Sequence, residues 1–362
     1  MDKGMLGLYT DYLICSTSYT TATGLSRVTD KVVSHDRITR FLSEKDFTAS
    51  NLWEFAKPII RSVENEDGVI AIDDSIEEKP YTDENDIVAW HYDHKEGRTI
   101  KGINFVTALL RTEEVSIPLT YCLVKKTVKT MNKKTGKEGR KSPITKQQMY
   151  RDLLSAVVAN NVLFKYVVND VWFASTENMC FVKDILKKDF VMPLKENRKV
   201  ALSKEDLALG KFVSIKKLEL GEGMQVWLAD VDFPLRLVCQ HFKNEDGSTG
   251  VLYLVSSNIE LTYEQITAIY KKRWKVEEYH KSLKINASLA KSPTKTVRTQ
   301  ANHIFAAICA FMKLESLSIA AKLNHFALKD KIYISALQKA FLELNKIKMT
   351  VRSKVLQTVK GV

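Results

Sequence analysis

Two short, almost wholly apolar segments that each end in an aspartate constrain the fold of this chain most. The first runs from Gly68 to Asp73 and the second from Tyr166 to Asp170. A short apolar run of this kind predicts a buried strand. A carboxylate at the tip of such a strand is costly unless a metal, hydrogen-bond donors or a cation accompanies it. The matching positions of the two aspartates therefore predict a functional site at one edge of a sheet.

Two further apolar segments follow the first of these strands. Residues 103–110 and 115–124 both predict strands, so an antiparallel meander is expected. Proline cannot donate a hydrogen bond within a sheet, so Pro118 fits the third strand only at an edge or a bulge. His91, Asp93 and His94 precede the second strand, where a loop near DNA is predicted. Their spacing suits zinc, but no further pair completes a tetrahedral site.

Helices alternate with strands in the next part of the chain. Thr145 can cap a helix, and a second helix over 176–188 follows the strand that ends at Asp170. A strand at 190–193 then adds to the sheet in parallel. The predicted order is three strands, a helix, a strand, a helix and a strand. This is the order of elements in the ribonuclease H-like fold. The predicted class is therefore α/β, with a mixed sheet flanked by helices.

Composition divides the chain into four predicted regions. Glycine-punctuated, alternating segments indicate a β-rich insertion before the long helix that follows Thr262, and both ends of the chain are predicted to be helical. The first region carries His35, Arg37 and Arg40, which fits a DNA-binding module or a helical cap packed on the main domain; DNA binding is the working prediction. The predicted division is an N-terminal region 1–60, a ribonuclease H-like domain 61–198 with 257–295, an insertion 199–256 and a C-terminal region 296–362.

Charge and cysteine usage indicate the compartment and the kind of partner. A net charge of +12 over 362 residues favours a polyanionic partner, most often nucleic acid. The five cysteines are scattered without a C-x-x-C pair, which argues against a zinc site or a disulfide framework.

The longest apolar stretches, such as 304–312, are too short to span a bilayer and predict buried helix. With no signal-peptide pattern at the start, a soluble cytoplasmic protein is expected.

A strongly basic segment lies between the third strand and the Thr145 helix. Its glycines predict a flexible loop, and the near absence of acids favours contact with phosphates. Glu138 is its one acid, set against eight basic residues: Lys125, Lys126, Lys129, Lys133, Lys134, Lys137, Arg140 and Lys141.

A polar stripe marks the helix after the insertion. Thr262 can cap one long helix through about Leu289, which carries Tyr270, Arg273, Glu277 and Lys284. Positions 270, 277 and 284 lie nearly on one stripe, with Arg273 on the neighbouring face. Such a face is either a solvated surface with i,i+4 ion pairs or a functional surface with a single acid.

These motifs together resemble those of a known family. The helix motif Tyr270-x2-Arg273-x3-Glu277-x6-Lys284 is similar to the signature of bacterial insertion-sequence DDE transposases with a Y-R-E-K helix. Ile72-Asp73-Asp74-Ser75 resembles the first motif of that group, and Asp170-Val-Trp-Phe resembles the second. The β-rich insertion before the helix also fits, and the resemblance covers about residues 60 to 290.

The resemblance implies a metal-dependent site that acts on DNA. Asp73, Asp170 and Glu277 would bind two divalent ions, normally Mg2+ with Mn2+ as a substitute, for in-line phosphodiester displacement. Asp74 is the alternative first acid, since strand alternation lets only one of the two neighbours face the metals. Tyr270, Arg273 and Lys284 would hold phosphates of the transposon ends.

The implied activity is cleavage at terminal inverted repeats followed by 3′-OH transfer into target DNA. A homodimer is expected because two DNA ends must be joined. An inactive DNA-binding protein of transposase descent and a stand-alone ribonuclease H-like nuclease are the alternatives. Trp90, Trp172 and Trp274 could stack on a flipped base, but core packing is predicted for each.

Overall fold

The computed structural model describes residues 2–360 except 94–95, 114, 132–135, 137 and 244–245, with the backbone alone over 352–360. The helices are α1 (Lys3–Cys15), α2 (Ala22–Val28), α3 (His35–Ser43), α4 (Ala49–Val63), α5 (Lys146–Ala159), α6 (Thr176–Cys180), α7 (Lys204–Ala208), α8 (Tyr263–Lys271), α9 (Trp274–Ile285), α10 (Val297–Ala321) and α11 (His325–Lys360). The strands are β1 (Val69–Glu78), β2 (Val88–Asp93), β3 (Arg98–Arg111), β4 (Ser116–Leu123), β5 (Val128–Met131), β6 (Glu138–Lys141), β7 (Tyr166–Asn169), β8 (Asp189–Leu194), β9 (Lys199–Val200), β10 (Val213–Ser214), β11 (Met224–Val226), β12 (Leu235–Lys243) and β13 (Thr249–Ser256).

A mixed sheet forms the centre of the fold, in the order β4-β3-β1-β7-β8. The β1, β3 and β4 strands pair antiparallel, which confirms the predicted meander. The β7 strand pairs parallel with both β1 and β8, because helical connections carry the chain back to the same edge. This mixed sheet with flanking helices confirms the predicted ribonuclease H-like class.

The strands of the segment 199–256 continue the same sheet. The β13 strand pairs antiparallel with β8, and β12 and β11 follow outward. A separate pair, β9 with β10, lies off that path. The β-rich character predicted for this segment is confirmed, and its longest strands are joined to the central sheet by backbone hydrogen bonds.

The edge beyond β3 holds two strands, and only one of them was predicted. The β2 strand, which contains His91, pairs with the first half of β3, so the loop predicted there is wrong. The β4 strand pairs with the second half of β3, and the register shifts between Ala108 and Leu109, beside Pro118. Pro118 therefore occupies the edge and bulge that its missing amide hydrogen requires.

Side-chain caps begin most of the helices. Thr145 accepts from the Gln148 amide, as predicted, and α4 begins under a capping box of Thr48 and Asn51. Pro58 lies inside α4, which continues to Val63. Packing of α4 against β4 outweighs the cost of about 3 kcal/mol for a proline inside a helix.

The long helix predicted from Thr262 to about Leu289 is interrupted. Thr262 caps α8 as expected, but α8 ends at Lys271 and α9 begins at Trp274. Between them the amides of Lys272 and Arg273 bond three residues back, to the carbonyls of Ile269 and Tyr270. A turn with hydrogen bonds to the third residue back rotates by more than 100° per residue, which is the rotation of an α-helix. The turn therefore changes the angle between Tyr270, which precedes it, and Glu277, which follows it.

Helices from both ends of the chain pack into one core with the sheet. The α1 helix lies against α10, and a continuous cluster of buried apolar side chains extends from Met5 to Leu314. The α10 helix is long and apolar enough to cross a membrane by composition, but more than half of its most apolar window is buried inside the fold. The prediction that residues 304–312 form a buried helix is confirmed.

Candidate active site

Asp73 and Asp170 lie side by side where β1 and β7 carry the chain to the same edge of the sheet. Ile72 pairs with Asn169 in the parallel register, so the next residues, Asp73 and Asp170, lie level with each other. Level residues of neighbouring parallel strands project to the same face of a sheet. The pairing predicted from two apolar segments ending in acid is thus present in the fold.

Burial makes this pair of carboxylates electrostatically costly. Burial first, and then the negative charges of Asp170 and Asp74, raise the pKa of Asp73 to about 8. Burial also raises the pKa of Asp170, although the amide of Phe173 opposes the increase. Two adjacent oxygen-rich groups that resist ionisation together are well suited to a hard divalent cation, whose charge would favour both carboxylates.

The loop after β7 is built around Asp170. The Asp170 Oδ1 accepts the amide hydrogens of Trp172 at 3.1 Å and Phe173 at 3.2 Å. Phe173 is fully buried and stacks on Tyr150 of α5, with ring centroids 5.4 Å apart. The loop therefore holds the carboxylate in one orientation.

Asp74 projects to the opposite face of the sheet and has partners of its own. Its Oδ2 accepts from Lys146 Nζ at 2.6 Å and from Asn104 Nδ2 at 2.7 Å. Its amide donates to Asp73 Oδ1 at 2.9 Å. Neither Lys146 nor Asn104 was singled out from the sequence. The only signal is that Lys146 follows the cap residue Thr145, since the contact with β1 depends on how α5 packs.

Arg273 is the cation that faces all three candidate acids. Its Nη2 donates to Glu277 Oε1 at 2.9 Å, and its positive charge partly opposes the rise in pKa that burial causes at Asp73 and Asp170. The guanidinium lies 5.5 Å from the centre of the Tyr270 ring, and Nε is buried without a hydrogen-bond partner among the described residues. The short turn between α8 and α9 places Arg273 beside Tyr270 and the candidate acids.

Glu277 is linked to the aspartate pair through its ion pair with Arg273. Within the described ranges, no three His, Cys, Asp or Glu side chains stand close enough together to hold one metal ion. Glu277 is only partly exposed, on the first turn of α9, and pairs with Arg273. The structure brings Asp73, Asp170 and Arg273 into one neighbourhood, and Glu277 joins it through its ion pair with Arg273.

Tyr270 and Lys284 occupy different parts of this surface. Tyr270 lies beside Arg273, and burial raises the pKa of its phenol to about 12. Lys284 Nζ donates to the backbone carbonyl of Ile76 at 2.6 Å, three residues beyond Asp73 on β1. Lys284 therefore ties α9 to β1.

The predicted basic loop is partly a β-hairpin. The β5 and β6 strands pair from Val128 with Lys141 to Met131 with Glu138, so the prediction of an irregular flexible loop is wrong for these residues. Arg140 and Lys141 lie on β6, where Lys141 is exposed. The predicted DNA contacts Lys133, Lys134 and Lys137 lie outside the described residues.

The three tryptophans singled out from the sequence lie at the surface. Trp90 is 51% exposed, Trp172 49% and Trp274 56%, so the prediction of core packing is wrong for each. His91 is buried in β2, and its Nε2 has no hydrogen-bond partner among the described residues; His94 lies outside them. The three indoles therefore present aromatic surface to solvent.

Two family models match this chain. The model described as a DDE superfamily endonuclease matches residues 1–208, and the model of a transposase DDE domain matches residues 144–313. No curated protein sequence matches it. DDE endonucleases generally use divalent metals, which agrees with the paired oxygen donors of Asp73 and Asp170. Because the first match spans more than half of the 362 residues, the chain belongs to the DDE superfamily of transposases and endonucleases.

Proposed function

We propose that this protein is a DNA transposase of the Y-R-E-K group that cleaves transposon ends and transfers the freed 3′-OH into target DNA. The observation that carries the proposal is the level pair Asp73 and Asp170, joined to Glu277 through Arg273. The net charge of +12 suits a polyanionic substrate. Terminal inverted repeats are the proposed specific substrate, because the enzyme must find the ends of its own element.

In this proposal Asp73 and Asp170 hold divalent ions, with Mg2+ as the natural ion and Mn2+ as a substitute. Two such ions, when bound, promote in-line displacement at a phosphodiester. Glu277 is the third proposed ligand and reaches the ions when it exchanges its contact with Arg273. Asp73 is preferred over Asp74 because Lys146 and Asn104, which hold the Asp74 carboxylate, lie with it on the other face.

The other side chains position DNA. Arg273, once released from Glu277, can donate two hydrogen bonds to a phosphate while its charge remains beside the acids. Tyr270 supports the guanidinium from one side. Water attacks the phosphorus in the first reaction and the P–O3′ bond breaks; the freed 3′-OH attacks target DNA in the second. Each reaction exchanges one P–O bond for another, so neither needs ATP.

The test is cleavage of DNA that carries the inverted repeats flanking the gene, measured with Mg2+ and with EDTA. Asp73→Asn, Asp170→Asn and Glu277→Gln should each abolish cleavage while the protein stays folded. Glu278→Gln is the matched control, because Glu278 is adjacent on α9 and pairs with Lys275 at 2.6 Å. Full activity of the Glu277 variant would refute the mechanism. Loss in an Asp74→Asn variant with full activity of Asp73→Asn would move the first ligand by one residue.

The C-terminal helix supports the proposed homodimer. The first turns of α11 are anchored to the body, since Lys329 donates to the carbonyls of Ile285 and Asn286. Beyond Tyr333 the helix exposes a series of large apolar side chains. Ile334, Leu337, Phe341 and Leu344 are spaced by three, four and three residues, which is the seam of a coiled coil. A second copy of the chain, offering the same seam, is the proposed partner.

Light scattering after gel filtration tests this partner. A Leu337→Glu, Phe341→Glu variant should shift the protein to the monomer mass, because a charge in the seam loses its hydration when the seam closes. Gln338→Glu introduces one such charge at the exposed neighbouring position, outside the seam, and should leave the dimer intact; Leu337→Glu alone is its single-charge counterpart within the seam. An unchanged mass for the double variant would contradict the assignment of this seam.

A further inference from the structure

The registered pairing of β1 with β7 ends just before the two aspartates of the candidate site. The last pair in the parallel register is Ile72 with Asn169, and Asn169 is also the last residue of β7. Asp73 and Asp170 are the next residues, so they lie beyond the registered part of the pairing. Two carboxylates repel each other when both are ionised. Their spacing therefore needs support from contacts outside this pair of strands.

A chain of two hydrogen bonds joins α5 to the carboxylate of Asp73. Lys146 Nζ donates to Asp74 Oδ2 at 2.6 Å, and the Asp74 amide donates to Asp73 Oδ1 at 2.9 Å. Asn104 Nδ2 of β3 donates to the same Asp74 oxygen at 2.7 Å. Because Asp74 is held at both its carboxylate and its amide, the orientation of Asp73 depends on a residue of α5.

A second chain of two hydrogen bonds joins α5 to the backbone of Asp170. The Tyr150 hydroxyl donates to Asn169 Oδ1 at 2.9 Å, and Asn169 Nδ2 donates to the carbonyl of Asp170 at 2.8 Å. Tyr150 and Asn169 are both fully buried. Hydrogen bonds in such a buried setting are electrostatically stronger than in water. The backbone of the second aspartate is therefore held from the same helix as the carboxylate of the first.

Both chains start from one face of α5. Lys146 and Tyr150 are four residues apart, which places them one turn apart on the same face of the helix. The helix packs against β3 and β4, and its two side chains reach Asp74 and Asn169. Successive residues of a strand point to opposite faces of the sheet, so the two candidate metal ligands face the other side. One helix thus contacts both strands from the face opposite the candidate site.

We propose that Lys146 and Tyr150 are positioning residues that set the spacing of Asp73 and Asp170 from the opposite face of the sheet. The two ions of a two-metal site lie about 3.5–4 Å apart, so carboxylates that share them must keep a defined separation. Groups that hold metal ligands in place also alter the affinity for the metal. The inference deepens the proposed function and rests on it for the assignment of the two aspartates as metal ligands.

The test is binding of Mn2+ to the full-length protein without DNA, followed by electron paramagnetic resonance, because the sharp signal of the free ion broadens on binding. Lys146→Met and Tyr150→Phe each break one of the two chains. Each should weaken Mn2+ binding by about 10- to 100-fold, the range for loss of a group that holds a metal ligand. By charge alone, removal of a cation would strengthen Mn2+ binding. Weaker binding by Lys146→Met therefore reports a lost position.

Each variant has a matched control at the far end of β7 and β8. Lys183 Nζ donates to Asp189 Oδ1 at 2.6 Å, so Lys183→Met removes an ion pair of the same length and similar burial as that of Lys146. Tyr166→Phe removes a buried hydroxyl that accepts from Asn258 Nδ2 at 3.2 Å. Asp189 and Tyr166 pair with each other at the start of their strands, away from the aspartates. Both controls should leave the Mn2+ affinity unchanged.

Urea unfolding of the same proteins separates positioning from a general role in stability. Lys146→Met and Lys183→Met break comparable ion pairs and should lose similar stability, but only Lys146→Met should lose Mn2+ affinity. Lys146→Arg should restore the affinity, since it keeps a charged donor for Asp74. A role in stability alone predicts the same Mn2+ affinity for each variant and its control.

Equal Mn2+ affinity of each variant and its control would overturn the proposal, as would tighter binding by Lys146→Met. Either result would leave the metal ligands standing if Asp170→Asn abolished Mn2+ binding. Wild-type protein that binds no Mn2+ would overturn the metal ligands and the positioning residues together. The measurement involves no cleavage, so weaker binding by both variants would support the positioning role even in a protein that cuts no DNA.

Discussion

Replacing Asp73 by asparagine is expected to stabilise the metal-free protein while abolishing its activity. The pKa of Asp73 is about 8 in the folded chain, against the ordinary value of 3.8 expected when the chain is unfolded. Between about pH 4 and pH 8 the folded protein keeps this proton and the unfolded chain has lost it. Stability therefore falls as the pH rises through this window.

The magnitude follows from the size of the pKa difference. Each pH unit within the window costs about 1.4 kcal/mol, so the Asp73 carboxyl lowers the free energy of unfolding by about 2 kcal/mol at pH 5 and about 4 kcal/mol at pH 7. Asparagine cannot ionise and escapes this cost. Its side-chain oxygen can still accept the Asp74 amide hydrogen, which Asp73 Oδ1 accepts at 2.9 Å.

Urea unfolding of both proteins in EDTA, at pH 5, 6, 7 and 8, tests the reasoning. The stability advantage of Asp73→Asn should grow with pH at about 1.4 kcal/mol per unit, and Mg2+ should reduce it by stabilising only the wild-type protein. An advantage that does not change with pH would refute the electrostatic account. A wild-type protein that gains no stability from Mg2+ would refute the assignment of the carboxylates as metal ligands.

Three further outcomes are expected. Asp74→Asn should lower the free energy of unfolding by about 1–3 kcal/mol in the same urea assay, because it leaves the partly buried Lys146 without its counter-ion. Adding Lys146→Met to this variant should recover part of the lost stability, because no unpaired charge then remains. Arg273→Gln should slow single-turnover DNA cleavage by about 10- to 150-fold, the value of one charge-assisted hydrogen bond, and an undiminished rate would exclude Arg273 from phosphate binding. Phe173→Ala should destabilise the protein by about 3–5 kcal/mol by opening a cavity beside Tyr150, and thermal unfolding measures this loss.

Local patterns in the sequence were sufficient for the central part of the fold. Uninterrupted apolar runs identified β1 and β7, because strands buried on both faces need apolar side chains at every position. Thr145 and Thr262 identified the starts of α5 and α8, since a capping hydroxyl acts on amides only two or three residues away. The edge strand β2 was missed because its polarity is inverted: Trp90 and Tyr92 are exposed, whereas His91 between them is buried.

The candidate site divides in the same way between sequence and tertiary structure. Two apolar segments ending in acid predicted Asp73 and Asp170 at one edge of the sheet, and the resemblance to Y-R-E-K transposases added Arg273 and Glu277 to the predicted site. Only the packed chain shows that Asp74 has partners of its own, since Lys146 and Asn104 reach it from other elements. It also brought Lys146 and Tyr150 of one helix to both strands that carry the aspartates, because α5 packs against the sheet. Contacts of this kind depend on which elements pack together, and no local sequence pattern encodes them.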